Sequence, residues 1–129
     1  MSSTSDKFKA RSSAFSLRIV HFCRTLRETW EGRELSDQLF RAGTRVGANY
    51  RSACRARSRP DFINKLGHAV EEADEALYWL ELIDAARITA APELTALRQE
   101  AAKLSAIFAQ SQLTAKTNTS HTSHSPRTS

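Results

Sequence analysis

Residues 39–82 read LFRAGTRVGANYRSACRARSRPDFINKLGHAVEEADEALYWLEL and contain two apolar stripes of helical period on either side of one proline. The first stripe consists of Leu39, Ala42, Val46, Tyr50 and Ala53. The second consists of Phe62, Leu66, Ala69, Ala73, Leu77 and Leu80. Apolar residues at steps of three and four lie on one face of an α-helix, and the residue before a proline is disfavoured in helical geometry. The segment therefore predicts two amphipathic helices that meet near Pro60, one starting near Leu35 and the other ending near Arg87.

Two further stripes flank this segment. On the N-terminal side the apolar residues are Phe15, Ile19, Phe22, Leu26 and Trp30. They predict a helix from about Ser13 to Trp30, with Gly32 as the glycine that ends it. On the C-terminal side, after a break at residues 90–92, the apolar residues are Leu94, Leu97, Ala101, Leu104 and Phe108. They predict a fourth helix that ends near Ser111.

Four amphipathic helices with short links can bury their stripes together in an all-α, antiparallel up-and-down four-helix bundle. The four glycines and three prolines in 129 residues agree with long helices rather than a turn-rich β fold. Gly43 and Gly47, four residues apart inside a helix, predict a close approach of a neighbouring helix. We expect the bundle at residues 11–112, between a disordered arm at 1–10 and a disordered Ser/Thr-rich tail at 113–129.

The second helix carries a basic face. The chain from residue 38 to residue 60 contains no acid, and its arginines are Arg41, Arg45, Arg51, Arg55, Arg57 and Arg59. At about 100° per residue, the first four share an arc of about 120° opposite the apolar stripe. Guanidinium groups pair bidentately with phosphate oxygens. The candidate nucleic-acid or anion contacts are Arg41, Arg45, Arg51, Arg55 and Arg59.

These arginines have a second interpretation, in which they face the acidic third helix. The acids of that helix are Glu71, Glu72, Asp74, Glu75, Glu81 and Asp84. A basic face against an acidic face, within one chain or between two, needs no ligand. The sequence leaves open whether the protein binds RNA or an acidic partner, or is a purely structural interaction module. The net charge of +5 agrees with either.

Three residues of the third helix lie off its main apolar stripe, namely Tyr78, Trp79 and Leu82. Exposed aromatic side chains commonly mark protein contacts, although base stacking is the rival interpretation. We expect these residues to form an interface between copies of the chain. A second-helix face that meets the third-helix face of the next copy is a heterologous contact, and such contacts close into rings where the rotation permits.

No motif favours an enzyme, so we expect no catalytic residue, metal or cofactor. Di-iron bundles need Glu-x-x-His pairs, but Arg18 stands three residues before His21 and Lys65 three before His68. No glycine loop that could cradle a phosphate and no zinc-ligand spacing is present. The two cysteines lack metal-ligand spacing, and reduced thiols are expected.

Membrane insertion is not expected either. No apolar run approaches the roughly 18 residues that a transmembrane helix needs. The apolar stretch near the N-terminus is interrupted by polar residues, and no signal-peptide cleavage site follows it. We therefore expect a cytoplasmic protein.

The segment quoted at the start also resembles a known bacterial family, that of the 23S rRNA intervening-sequence proteins, which is related to the accessory proteins of diversity-generating retroelements. The resemblance rests on Arg41, Gly43, the stretch 46–50, Ser58, Asp61, Phe62, Lys65, Leu66, the stretch 71–73 and the stretch 78–81. It implies a four-helix protomer, assembly into a ring-like pentamer and a role with nucleic acid.

Overall fold

Four helices follow one another along the chain as α1 (Thr4–Arg24), α2 (Trp30–Cys54), α3 (Arg59–Ala85) and α4 (Pro92–His124). A computed structural model describes residues 3–124, with side chains through residue 118. Each helix packs against the next, and α4 closes the bundle on α1 with the least extensive of the four contacts. The part of the chain described contains no strand. The all-α four-helix bundle predicted from the sequence is confirmed.

The core is formed by the four predicted stripes. The fully buried large side chains include Phe15, Ile19, Leu39, Val46, Leu66, Leu80, Leu97, Leu104 and Phe108. Burial of each such side chain stabilises the fold by about 1.5–3 kcal/mol. The rings of Tyr50 and Phe108 stack with centroids 4.8 Å apart, and this contact joins α2 to α4 across the core.

The first helix begins at Thr4 rather than near Ser13. Ser3 caps it, because its hydroxyl accepts a hydrogen bond from the Asp6 amide at 3.1 Å and its own amide donates to the Asp6 carboxylate at 3.5 Å. This reciprocal pair is a capping box, which satisfies two amides at the start of a helix. The disordered arm predicted at residues 1–10 is therefore wrong from Thr4 onward, and residues 1–2 lie outside the described part.

The boundary between α1 and α2 also differs from the prediction. The first helix ends at Arg24, and Thr29 caps the second by accepting a hydrogen bond from the Gly32 amide at 3.0 Å. Trp30 is not a core residue of the first helix, since it is 67% exposed on the first turn of α2. Gly32 does not end a helix. A Cβ atom there would lie 2.0 Å from the Leu26 carbonyl oxygen, so the site requires glycine for a close approach.

The joint before α3 agrees with the sequence. The Ser58 hydroxyl caps this helix by accepting a hydrogen bond from the Asp61 amide at 3.2 Å, and Pro60 stands in the first turn. Proline is favoured there because its missing N–H has no helical partner to lose. The preceding helix, α2, ends at Cys54, so the turn spans only residues 55–58.

The fourth helix continues to His124 instead of ending near Ser111. Past the predicted end, the side-chain amide of Gln112 donates to the Ile63 carbonyl oxygen at 3.0 Å, and Ala115 is only 4% exposed. These contacts stabilise a polar segment whose composition alone predicts disorder. The tail predicted at residues 113–129 is thus helical through His124, and residues 125–129 lie outside the described part.

The first two helices approach each other closely at Gly43 and Gly47. A Cβ atom on Gly43 would lie 2.7 Å from the Cγ2 atom of Ile19, which is fully buried. A Cβ atom on Gly47 would lie 3.2 Å from the Ser12 carbonyl oxygen. The close approach predicted from the two glycines is confirmed.

A single hydroxyl fastens this contact. The Ser16 hydroxyl donates to the Gly43 carbonyl oxygen at 2.7 Å and accepts from the Gly47 amide at 3.0 Å. The two backbone groups are one turn apart on α2, so a single side chain of α1 is hydrogen-bonded to both ends of that turn. A larger residue at either glycine would push the two helices apart and break both hydrogen bonds.

Ion pairs hold the edge where α1 meets α4. The guanidinium of Arg11 donates to both carboxylate oxygens of Glu100, at 2.7 and 2.9 Å. Two turns further toward the C-terminus of α1, Arg18 donates to Glu93 at 3.1 Å. The hydrogen bond from Arg11 lowers the pKa of Glu100 below its usual value. This edge is therefore closed by charge more than by extensive packing.

We expect Gly43→Ala to destabilise the bundle by about 1–3 kcal/mol, because the added methyl overpacks buried Ile19. The loss should outweigh the gain of about 1 kcal/mol that alanine brings to a helix interior. Gly67→Ala is the matched control, since its Cβ would meet only the end of the long Gln112 side chain at 2.9 Å, which can shift at the cost of its single hydrogen bond to Ile63. Urea unfolding should show the control to be neutral or stabilising. Equal stability of the two variants would contradict the close approach.

Candidate functional site

The outer face of α2 carries the candidate arginines in two groups. Arg41 and Arg45 lie in the middle of the helix, opposite the residues that it buries. Arg51 stands in its last turn and Arg55 is its C-cap residue. Arg59 is the first residue of α3, across a turn that also holds Arg57. All of these residues are exposed.

Only one of the five candidates has an ion-pair partner among the described side chains. Arg45 lies 3.7 Å from the carboxylate of Glu72 on α3. Arg41, Arg51 and Arg55 make no ion pair within 4 Å in the described part of the chain, and Arg59 makes none there either. Pairing with the acids of α3 inside one chain therefore accounts for a single arginine.

The acidic face of α3 is incompletely neutralised. Burial raises the pKa of Glu72, the neighbouring Glu75 raises it further, and Arg45 opposes this rise. Glu75 accepts a hydrogen bond from the indole N–H of Trp79 at 3.4 Å but makes no ion pair among the described side chains. The face therefore keeps negative charge that the same chain does not balance.

The end of the bundle at the α2–α3 turn is cationic. Because α1 runs antiparallel to α2, the start of α1 lies beside the end of α2. This proximity shows at Cys54, where burial raises the pKa of the thiol while a hydrogen bond with Tyr50 and the charge of Lys9 oppose the rise. We call this the basic end and define it by Lys7, Arg51, Arg55, Arg57 and Arg59, none of which makes an ion pair within residues 3–118. Lys7 and the proximity of the two helix ends were missed in the sequence.

The residues predicted to contact a second copy lie on the outer side of α3. Tyr78 is 54% exposed and meets the ring of Trp79 edge-on, with centroids 5.0 Å apart. Trp79 is half-buried and packs against the core, and Leu82 is also half-buried. Tyr78 is therefore the most accessible of the three.

Other kinds of site find little support in the described residues. Nowhere in this part of the chain do three His, Cys, Asp or Glu residues gather as metal ligands. Burial raises the pKa of the Cys23 thiol to about 12, so this thiol stays protonated and unreactive. Across residues 3–124, no helix has both the length and the apolar character to cross a membrane.

The fold and this surface define a four-helix-bundle protein with an arginine-rich face. The family model of the 23S rRNA-intervening sequence proteins matches residues 6–110, and the chain belongs to that family. The resemblance inferred from residues 39–82 is thereby confirmed over most of the bundle.

A solved structure agrees with this assignment. It is the crystal structure of a protein with unknown function from the S23 ribosomal protein family of Bacteroides thetaiotaomicron VPI-5482. The two chains are 32% identical and superimpose with a TM-score of 0.77. The match covers 84% of this chain and 96% of the other. No curated protein matches the chain significantly.

We expect Arg45→Glu to cost about 1 kcal/mol more stability than Arg41→Glu, because it removes an ion pair and places a second carboxylate beside Glu72. The repulsion exists only while Glu72 is ionised. The pKa of Glu72 is raised above its usual value. The stability difference between the two variants should therefore shrink as the pH falls through the pKa of Glu72, where its carboxylate becomes protonated. Urea unfolding of both variants at neutral and acidic pH measures it. A difference that persists in acid would contradict this assignment.

Proposed function

We propose that the protein is a non-enzymatic, self-assembling cytoplasmic module that binds RNA or another nucleic acid through phosphate contacts on its basic face. The observation that supports this most is the exposure of Arg41, Arg51, Arg55 and Arg59 without ion-pair partners in the described part of the chain. Elsewhere in the bundle, arginines such as Arg11 and Arg18 are paired with carboxylates. The α2 arginines therefore remain available to an external anion.

The layout of these arginines suits a chain of phosphates. Residues 41 and 55 are separated by about 21 Å along the helix axis at 1.5 Å per residue. That distance spans about six nucleotide rises of 3.4 Å along one strand of duplex DNA. Guanidinium groups along such a row can contact successive phosphates, which gives affinity without base readout. We expect binding that depends strongly on salt and weakly on sequence.

RNA is favoured over other polyanions by family membership alone. The name of the family refers to an intervening sequence of 23S rRNA. The solved relative is described as having unknown function. RNA is therefore the first ligand to test, with duplex DNA as the comparison.

A second candidate function is a purely structural module whose basic and acidic faces pair between copies. The incomplete neutralisation of Glu72 and Glu75 favours it, because arginines from another copy would balance that charge. Self-association itself is supported by exposed Tyr78 and the half-buried Trp79 and Leu82 beside it. The family resemblance suggests a ring of five. The two candidates differ in whether the arginines are needed for assembly or for nucleic acid.

We expect the double variant Arg51→Glu/Arg55→Glu to bind RNA about tenfold or more weakly than wild type and to lower the salt slope by about two. Each reversal removes a phosphate contact and adds repulsion. The control is Arg33→Glu/Arg87→Glu, which makes the same charge change at the other end of the bundle. Fluorescence anisotropy across a salt series measures both quantities.

Two outcomes would count against the proposal. Equal losses in the double variant and its control would show that net charge acts rather than the basic end. Loss of assembly on arginine reversal, followed by light scattering, would assign these residues to the structural module instead.

A further inference from the structure

We propose that the groove between α1 and α2 receives the outer face of α3 from a second copy of this chain. The proposal deepens the self-association proposed above and rests on it. The sequence suggested the arginine face of α2 as the receiving surface. The structure shows a second surface beside that face, the groove between α1 and α2. Its apolar lining suits an aromatic side chain better than exposed arginines do.

The α1–α2 groove, defined by Leu17, Val20, Cys23 and Phe40, is apolar at its centre. Its cavity of about 300 Å³ is lined by Val20, Cys23 and Phe40 together with the polar residues Arg24, Arg27, Ser36 and Asp37. Phe40 is 45% exposed, and Leu17, one turn before Val20, is 56% exposed. Phe40 lines the cavity itself, and Leu17 extends its apolar surface by one turn along α1. Such a cluster is typical of a contact surface.

The rim of this groove is positively charged. Arg24 and Arg41 make no ion pair among the described side chains. Arg27 lies 3.2 Å from Asp37, and this pair neutralises the one acid that lines the groove. An occupant with an apolar centre and acidic flanks would match both features.

The outer face of α3 has that chemistry. We call the part of this face formed by Tyr78 and Leu82 the α3 ridge. Tyr78 is 54% exposed, and the half-buried Leu82 lies one turn further along α3. Glu75 and Glu81 stand three residues either side of Tyr78 and make no ion pair among the described side chains. Complete burial of an aromatic side chain removes about 150–250 Å² of surface from water. Because Tyr78 is 54% exposed in the protomer, about half of that area remains to be buried, and this is the main gain expected from the contact. The flanking carboxylates then lie opposite the arginines of the rim.

The groove and the ridge lie on different sides of the protomer, since α3 is not adjacent to α1 in the bundle and the ridge is on the side of α3 that faces away from the core. One chain therefore cannot fill its own groove. A contact between two unlike surfaces is heterologous, and each added copy leaves one groove and one ridge free until the assembly closes. The contact uses Arg41 but leaves Arg51, Arg55, Arg57 and Arg59 uncovered at the basic end. Assembly and nucleic-acid binding therefore compete for Arg41 and not for the basic end.

The test uses two single variants of the full chain, Leu17→Asp in the groove and Tyr78→Asp on the ridge. Light scattering should show each alone as a monomer, because each lacks one of the two required surfaces. Mixed in equal amounts, they should form a dimer and nothing larger, since the intact ridge of one fits the intact groove of the other. The control is Leu113→Asp, at a residue 57% exposed on α4, and it should assemble as wild type does. Phe40→Asp serves as a second groove variant if Leu17→Asp loses helical circular dichroism.

The outcomes separate this contact from the broader proposal. An oligomer that survives both substitutions, or a mixture that stays monomeric, overturns the groove–ridge contact. A wild-type monomer at micromolar concentration overturns the proposed self-association and this contact with it. RNA binding is measured through Arg51 and Arg55, which lie outside both surfaces, so its failure is seen independently.

Discussion

The close approach of α1 and α2 fixes the orientation of everything that follows along the chain. Gly43 and Gly47 leave room for the backbone of α1, and the Ser16 hydroxyl bonds to a carbonyl and an amide one turn apart. This contact sets the rotation of α2 about its own axis. Once that rotation is set, its apolar stripe must face the core and its arginines must face outward. The basic face is thus a consequence of how two small residues pack.

The bundle uses its charges in two different ways. Along the α1–α4 edge, Arg11 and Arg18 are paired with carboxylates, and the charges there serve cohesion. On the outer faces of α2 and α3, Arg41, Arg51, Glu75 and Glu81 make no ion pair among the described side chains. The clustering of like charges on one helix costs some stability in an isolated chain. Such unbalanced charge is expected in a protein that binds other molecules of opposite charge, whether nucleic acid or further copies of the chain.

Periodicity alone predicted the architecture and most of the core, because burial of a stripe every three to four residues depends on the local sequence. It missed Cys23, Ala76 and the fully buried Ile83. The ends of the helices depended on individual capping residues rather than on periodicity. Trp30 follows Leu26 at a helical step, yet the chain leaves the helix at Arg24, and Thr29 was the cap that could have shown it. The Ser3–Asp6 capping box was also visible in the sequence. The extension of α4 was not, since it depends on tertiary contacts such as that of Gln112 with α3. Likewise, the arginines were found from sequence, but which of them lacks a partner depends on the register between α2 and α3.

The α1–α4 edge has a further consequence for how the molecule moves. Three of the four helix–helix contacts join neighbours in sequence, whereas this one joins the two ends of the bundle and is the least extensive. A helix bundle opens locally where helix–helix contacts are few and where dissolved salt screens the ion pairs between helices. We therefore expect local opening of the bundle to begin at this edge, while the more extensive contacts of α2, α3 and α4 persist. Amides of α1 should accordingly exchange with deuterium ahead of those in α3, and the gap should widen as salt screens the two ion pairs.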